Sequence, residues 1–149
     1  MKLAIIGSRT FGKCKSLCLK FDLVSCEPIC PLAYKLLCRK ADELNPTEIV
    51  SGGAKGADTL AERYADERNL LLKVFLPKFK RDPAIPYHPK YFFERNIEIV
   101  EYANMVLAFP EGEAKGTRHA INYANKIGRP VHIVPPGTPL IPQESDHDY

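Results

Sequence analysis

No run of roughly 18 or more apolar residues occurs in this 149-residue chain, so nothing in it has the length of a membrane span. The opening MKLAIIG holds only a short apolar run ending in glycine, too brief for a secretory signal, and suggests the first strand of a cytoplasmic protein. Charge of one sign is also missing. The 21 Lys and Arg against 18 Asp and Glu leave +3, well short of the basic face of a dedicated duplex binder. The closing acids of QESDHDY dilute the total, so the folded body is slightly more basic and suits phosphate-bearing ligands. The C-x2-C pairs of zinc ribbons are lacking as well. Cys14, Cys18, Cys26, Cys30 and Cys38 crowd one stretch, but their i, i+4 spacing stacks thiols on a helix face. An odd number of them in a reducing compartment argues against a full disulfide set, so buried or idle thiols and no metal are expected. Two cofactor signatures are absent too. GGAKGAD lacks the Gly-Lys-Ser/Thr of a Walker loop, and GSRT after the first strand is not a dinucleotide G-x-G-x-x-G. No cofactor is expected.

What is present is a regular alternation. KLAIIG, TEIVSG, LLKVFLP, NMVLAFP and PVHIVPP are short apolar runs, none cleanly alternating, as in strands buried on both faces. Between them lie the helical patterns PLAYKLLCRKADEL, GADTLAERYADERN, HPKYFFERNIEIVEYA and KGTRHAINYANKIG, the last with Gly128 as its C-cap. The order βαβαβαβαβ predicts an α/β, Rossmann-like three-layer sandwich: a mostly parallel five-stranded sheet in the order 3-2-1-4-5. One domain covers residues 1–134. Residues 12–30 form a cysteine-rich insert whose prolines argue against one continuous helix, and residues 135–149 a Pro-rich, acidic tail.

Ligands of such sheets bind beyond the carboxyl ends of the strands, where strand order reverses. Three loops with unusual chemistry should open there. In GSRT, Gly7 permits a sharp turn, Ser8 offers a hydroxyl and Arg9 a phosphate fork. In SGGAKGAD, the residues Ser51, Gly52, Gly53, Ala54 and Gly56 allow close backbone approach, and Asp58 falls in the first helical turn. In FPEGEAKGTRHA, Gly116 and Thr117 begin a helix with Arg118 and His119 in its first turn. Cations at that positive end conflict with the dipole unless an anion is bound.

Taken in order, GSRTF, IVSGGAKGADTLAERYA, RNIEIVEYANMVLAF and KGTRHAINYANKIGRPVHI resemble the SLOG superfamily, nearest its short YspA-like proteins. The resemblance covers residues 1–134 apart from the insert. It implies a Rossmann-like fold that binds nucleotides or nucleotide-derived ligands, as in the cytokinin-activating phosphoribohydrolases, the DNA-processing protein DprA and nucleotide sensors of antiviral defence. It also implies a pocket arginine at Arg95, with Asn96 beside it. The enzymatic branch carries P-G-G-x-G-T-x-x-E. Here PEGEAKGTRHA keeps Gly116 and Thr117 but puts Ala120 in place of the glutamate, and alanine can move no proton.

Before Arg95, LPKFKRDPAIPYHPKYFFERN alternates bases with Phe79, Tyr87, Tyr91 and Phe92. As a lid it would stack a base on Tyr87 or Tyr91 and bring Lys78, Lys80 or Arg81 to phosphate, while Phe93 belongs to the helix core. The first expectation is therefore a binding protein for a small nucleotide-type molecule, sensed or sequestered. Second comes a nucleotide N-glycosidase-like enzyme in which Glu62, Asp58 or His119 replaces the lost acid. Single-stranded nucleic-acid binding ranks third. Self-association through helix faces is expected, a membrane partner is not.

Overall fold

The computed structural model describes residues 1–13 and 30–139. Cys14, Cys18 and Cys26, nearly all of the insert, and the tail from residue 140 lie outside the described residues. The elements run β1 (Lys2–Gly7), α1 (Pro31–Leu44), β2 (Glu48–Ser51), α2 (Ala57–Glu67), β3 (Leu71–Val74), α3 (Lys78–Arg81), α4 (Lys90–Tyr102), β4 (Met105–Phe109), α5 (Lys115–Ile127) and β5 (Val131–Ile133).

All five strands are parallel and lie in the expected order β3-β2-β1-β4-β5. Central β1 pairs Leu3 with Ile49 on one side and with Met105 on the other. The middle of each central strand is continuously apolar because successive side chains enter different layers. Leu3, Ile5, Ile49, Leu107 and Phe109 pack under α1 and α2, whereas Ala4, Ile6, Val50, Val106 and Ala108 pack under α4 and α5. Small residues such as Ala4 and Ala108 bring α4 and α5 close to the sheet. Large ones such as Leu37 and Tyr64 fill the opposite layer, each burial of that kind contributing about 1.5–3 kcal/mol.

Helix limits follow local chemistry. α1 starts with Pro31 at its first position, where the missing N–H costs nothing, and stops at Asn45 in the left-handed region. Gly128 closes α5 with φ 79°, its N–H returned to the last turn, as its position in the sequence suggests. Across α1 and α2, the Tyr64 hydroxyl donates to Asp42 Oδ1 at 2.5 Å and Arg68 Nη2 pairs with Asp42 at 3.1 Å.

The edges depart from the sequence expectation. β3 and β5 are not buried on both faces: Leu71 is 70% exposed, Leu72 42% and Ile133 47%. An apolar run shows that a residue could be buried, but an edge strand has a neighbour on one side only. The lid segment also differs, since residues 78–81 form the short helix α3. Lys78 reaches Glu94 at 4.0 Å and Arg81 reaches Glu98 at 2.9 Å, so α3 is tied to α4 by two of the bases expected to meet phosphate. Among the described residues no helix is long and apolar enough to cross a membrane.

Candidate functional site

The order in which strands are added to the sheet reverses between β1 and β4, and at their carboxyl ends a cleft of about 420 Å³ opens. Its floor is Ile6 and Gly7. Its walls come from the loop after β1, the start of α2, the first turns of α4 and the loop entering α5. Gly7 is required by close approach. A Cβ there would lie 2.7 Å from that of Ala57 and 2.8 Å from the Phe109 carbonyl oxygen. The next residue locks the two loops together: Ser8 Oγ donates to the Glu111 carbonyl at 2.8 Å and accepts from the Glu111 N–H at 2.7 Å.

Of the residues singled out in the sequence, Gly7, Ser8, Arg9, Ala54, Asp58, Arg95, Asn96, Gly116 and Thr117 line this cleft. Ser51, Gly52, Gly53, Gly56 and Arg118 do not. Ser51 is fully buried, donating to Glu62 at 3.2 Å and accepting from the Gly53 N–H. The Gly52 carbonyl accepts Arg95 Nη1 at 2.5 Å, and the Ala54 N–H donates to Asp58 Oδ2 at 3.1 Å. SGGAKGAD therefore spends much of its polar backbone on itself and on Arg95, and offers the cleft only Ala54 and Asp58. Arg118 turns outward, Nη2 donating to the Gly112 carbonyl at 3.3 Å.

Both α2 and α5 begin without a side-chain cap, but α2 has Asp58 in its first turn and α5 has no acid there. The α5 N-cap, Ala114, has φ 45° and ψ 50°. Among the described residues the N–H groups of Lys115, Gly116 and Thr117 find no acceptor, and all three residues line the cleft. The helix starts one residue earlier than the sequence suggests, so His119 falls in the second turn, outside the cleft lining. Burial lowers the His119 pKa, and its Nδ1 is buried without a hydrogen-bond partner among the described residues.

Two arginines line the same cleft as this helix end. Arg95 is buried on α4 with Nε donating to Asn96 Oδ1 at 3.1 Å, and Asn96 Nδ2 donates in turn to the Gly116 carbonyl at 3.1 Å. Arg9 is exposed, and both guanidinium carbons lie over the Phe92 ring, at 5.5 Å for Arg9 and 5.7 Å for Arg95. Burial depresses the Arg95 pKa; the like charge of Arg9 adds to that, and Asp58 and Glu98 act against it. Burial likewise pushes the Asp58 carboxyl up to about 6 although the Ala54 N–H and Arg95 favour its charged form.

Sequence reasoning missed several lining residues. Phe93 was expected in the core, yet it is 38% exposed, lines the cleft and meets His119 edge-to-face at 4.7 Å. It belongs to the first turn of α4, which extends past the end of the sheet, so it has cleft beneath it instead of strand. Phe92 lines the cleft as well, whereas Tyr87 and Tyr91 do not and instead cluster around Phe79. Thr10, Glu111 and Lys115 also line the cleft, with Thr10 Oγ1 donating to Glu111 Oε1 at 2.9 Å. Ala120 lines it too, leaving a methyl group where the phosphoribohydrolase motif has its acid. Among the described residues no cluster of three or more His, Cys, Asp or Glu is placed to hold a metal ion.

No family model matches the chain. Two solved structures share its fold. DprA from Streptococcus pneumoniae aligns with a TM-score of 0.63 at 21% identity, over 90% of this chain and 50% of the DprA chain. TM1055 aligns with a TM-score of 0.56 at 21% identity, over 92% of this chain and 75% of its own. The chain thus spans half the length of DprA, and at such identity both likenesses speak for the Rossmann-like α/β fold alone. In sequence, the Gene 61 protein of Mycobacterium phage D29 is 38% identical over 96 residues, which are 61% of this chain and 77% of that protein. With that identity over that share of the relative, the chain belongs to the family of the Mycobacterium phage D29 Gene 61 protein.

Proposed function

We propose that the cleft at the carboxyl edge of the sheet binds a small nucleotide or nucleotide-derived molecule, held for sensing or sequestration. One observation carries this reading: the uncapped first turn of α5 opens into the same cleft as Arg95, a buried cation without an ion pair among the described residues. A helix end with free N–H groups and a guanidinium in the same cleft are complementary to phosphate. Phe92 and Phe93 supply apolar surface for the rest of the ligand, and the cleft volume falls within the range of small-molecule sites. The resemblance to the YspA-like branch of the SLOG superfamily supports the same conclusion. With Ala120 at the acid position the reading is of binding rather than cleavage.

The test is release and rebinding. Denatured protein is analysed by mass spectrometry for released nucleotides, and thermal shifts are measured with mono-, di- and cyclic nucleotides. Stabilisation by at least one nucleotide, reduced in Arg9→Ala and unchanged in Arg118→Ala, is expected. No released ligand and no shift across the panel would sink the proposal.

A second reading has one observation in its favour. Of the three side chains that could replace the missing acid, Asp58 alone lines the cleft, and burial raises its pKa to about 6, closer to neutrality than an ordinary carboxyl. Glu62 and His119 do not line it. An Asp58-dependent N-glycosidase would release free base from nucleoside monophosphates, seen by chromatography, and lose that activity in Asp58→Asn. DprA is named a DNA-processing protein, but in this chain two bases of the lid segment are tied to Glu94 and Glu98, which leaves little of a strand-binding track.

A further inference from the structure

Resting on the nucleotide-binding reading above, we infer that the ligand carries a diphosphate, one phosphate on the first turn of α5 and the other beneath Arg9 and Arg95. Two separate cationic centres support this. The first is the α5 terminus, with three adjacent N–H groups and no acid in its opening turn. Three donors converging from one turn match the oxygens of one phosphate. The second centre comes from other elements: Arg95 from α4 and Arg9 from the loop after β1.

Arg95 is 7% exposed, and among the described residues it forms no ion pair within 4.0 Å. Its Nε and Nη1 are committed to Asn96 and Gly52, which leaves Nη2 for the cleft. Asp58 offsets part of its charge but makes no ion pair with it within 4.0 Å, its Oδ2 accepting from the Ala54 N–H. Arg9 brings a second like charge to the same ring of Phe92. A buried cation with another cation beside it is unfavourable until an anion arrives.

The two centres are one side-chain amide apart. Asn96 accepts from Arg95 with its oxygen and donates to the Gly116 carbonyl with its nitrogen, each at 3.1 Å. That separation suits neighbouring phosphates of one molecule better than two independent ligands. One phosphate seated on the α5 N–H groups leaves the arginine pair unsatisfied.

Isothermal titration of the full chain at fixed ionic strength decides the matter, using AMP, ADP and ATP, the guanine series, inorganic phosphate and pyrophosphate. ADP or GDP should bind at least about tenfold tighter than its monophosphate, and pyrophosphate tighter than phosphate by a similar factor. The triphosphate should gain less than about threefold over the diphosphate, because the described residues of the cleft form no third such centre; a steady gain per phosphate would mean general charge attraction and would overturn the inference. In Arg9→Ala, an exposed position whose loss the fold should tolerate, the diphosphate-to-monophosphate ratio should fall below about threefold. Equal binding of mono- and diphosphates by the unaltered chain would remove the diphosphate while leaving the nucleotide reading intact. Pyrophosphate selectivity without nucleotide binding would do the reverse, and no binding by any of the probes would end both.

Discussion

The tripeptide Ala-Lys-Gly occurs twice after a central strand, at residues 54–56 just before α2 and at residues 114–116 where α5 begins, and the two copies do opposite things. In the first, the second residue of α2 is Asp58, whose carboxylate takes the Ala54 N–H, while Thr59 Oγ1 donates to the Ala54 carbonyl at 3.1 Å and Ser51 takes the Gly53 N–H. The loop closes on itself. In the second, the matching helix position is Gly116, no acid follows, and the N–H groups of Lys115, Gly116 and Thr117 stay open to the cleft. Glycine marks where backbone comes close to something. What distinguishes the two copies is the charge in the following turn, an acid in α2 and none in α5.

The largest expected effect separates the two glycines. Gly56 has φ 80°, and a Cβ on it would lie 2.7 Å from the Arg9 Cα. Gly56→Ala should cost about 3 kcal/mol or more in urea unfolding, since strained backbone and a backbone clash add. Gly116 sits in regular helix with its nearest neighbour at 3.8 Å, so Gly116→Ala should be neutral or stabilising by up to about 1 kcal/mol. Equal losses at both sites would break the contrast.

Next comes the acid itself. A carboxyl raised from 3.8 to about 6 binds more protons folded than unfolded, so its contribution to stability falls as pH rises between those values. The shift corresponds to roughly 3 kcal/mol at about 1.4 kcal/mol per pH unit. Unfolding free energies of Asp58→Asn from pH 3.5 to 8 should lack that decline. Parallel curves for the variant and the unaltered chain would show that Asp58 is not held protonated. Asp42, held low by Arg68 and Tyr64 despite partial burial, contributes in the opposite sense, and it is common to both proteins.

A third variant imposes the first loop's chemistry on the second. Gly116→Asp puts a carboxylate at the α5 position that Asp58 holds in α2. It should leave the fold intact and weaken nucleotide or phosphate binding by about thirtyfold or more, roughly 2 kcal/mol, by repulsion of the anion. Retained affinity in calorimetry would contradict an anion seat on α5. The smallest effect compares the lysines: Lys115→Ala should weaken phosphate binding by about three- to fivefold, and Lys55→Ala, whose residue is exposed and outside the cleft lining, should not change it.

Much of the architecture was legible because strand and helix periods are local. PLAYKLLCRKADEL became α1 residue for residue, and the glycine after KI became the cap of α5. The exposure of Leu71, Leu72 and Ile133 was not legible, because an apolar run looks alike in a central strand and at an edge. Within the site, loop position after a strand located Gly7, Arg9, Asp58 and Thr117 at the cleft. It also overstated SGGAKGAD, since the bonds that close that loop run to Asp58 and Ser51, and their geometry exists only once the helix has formed. Phe93 shows the same limit, because helical spacing names a face but not where along the helix the sheet ends.

Gly56 has one more consequence. Its missing side chain lets the start of α2 lie against the backbone of Ser8 and Arg9, so the segment carrying the exposed arginine is braced before any ligand arrives. Loops that must be ordered on binding give up affinity in lost entropy, and here much of that ordering is already complete in the fold. A residue type associated with flexibility serves in this protein to make a cleft-lining loop stiff.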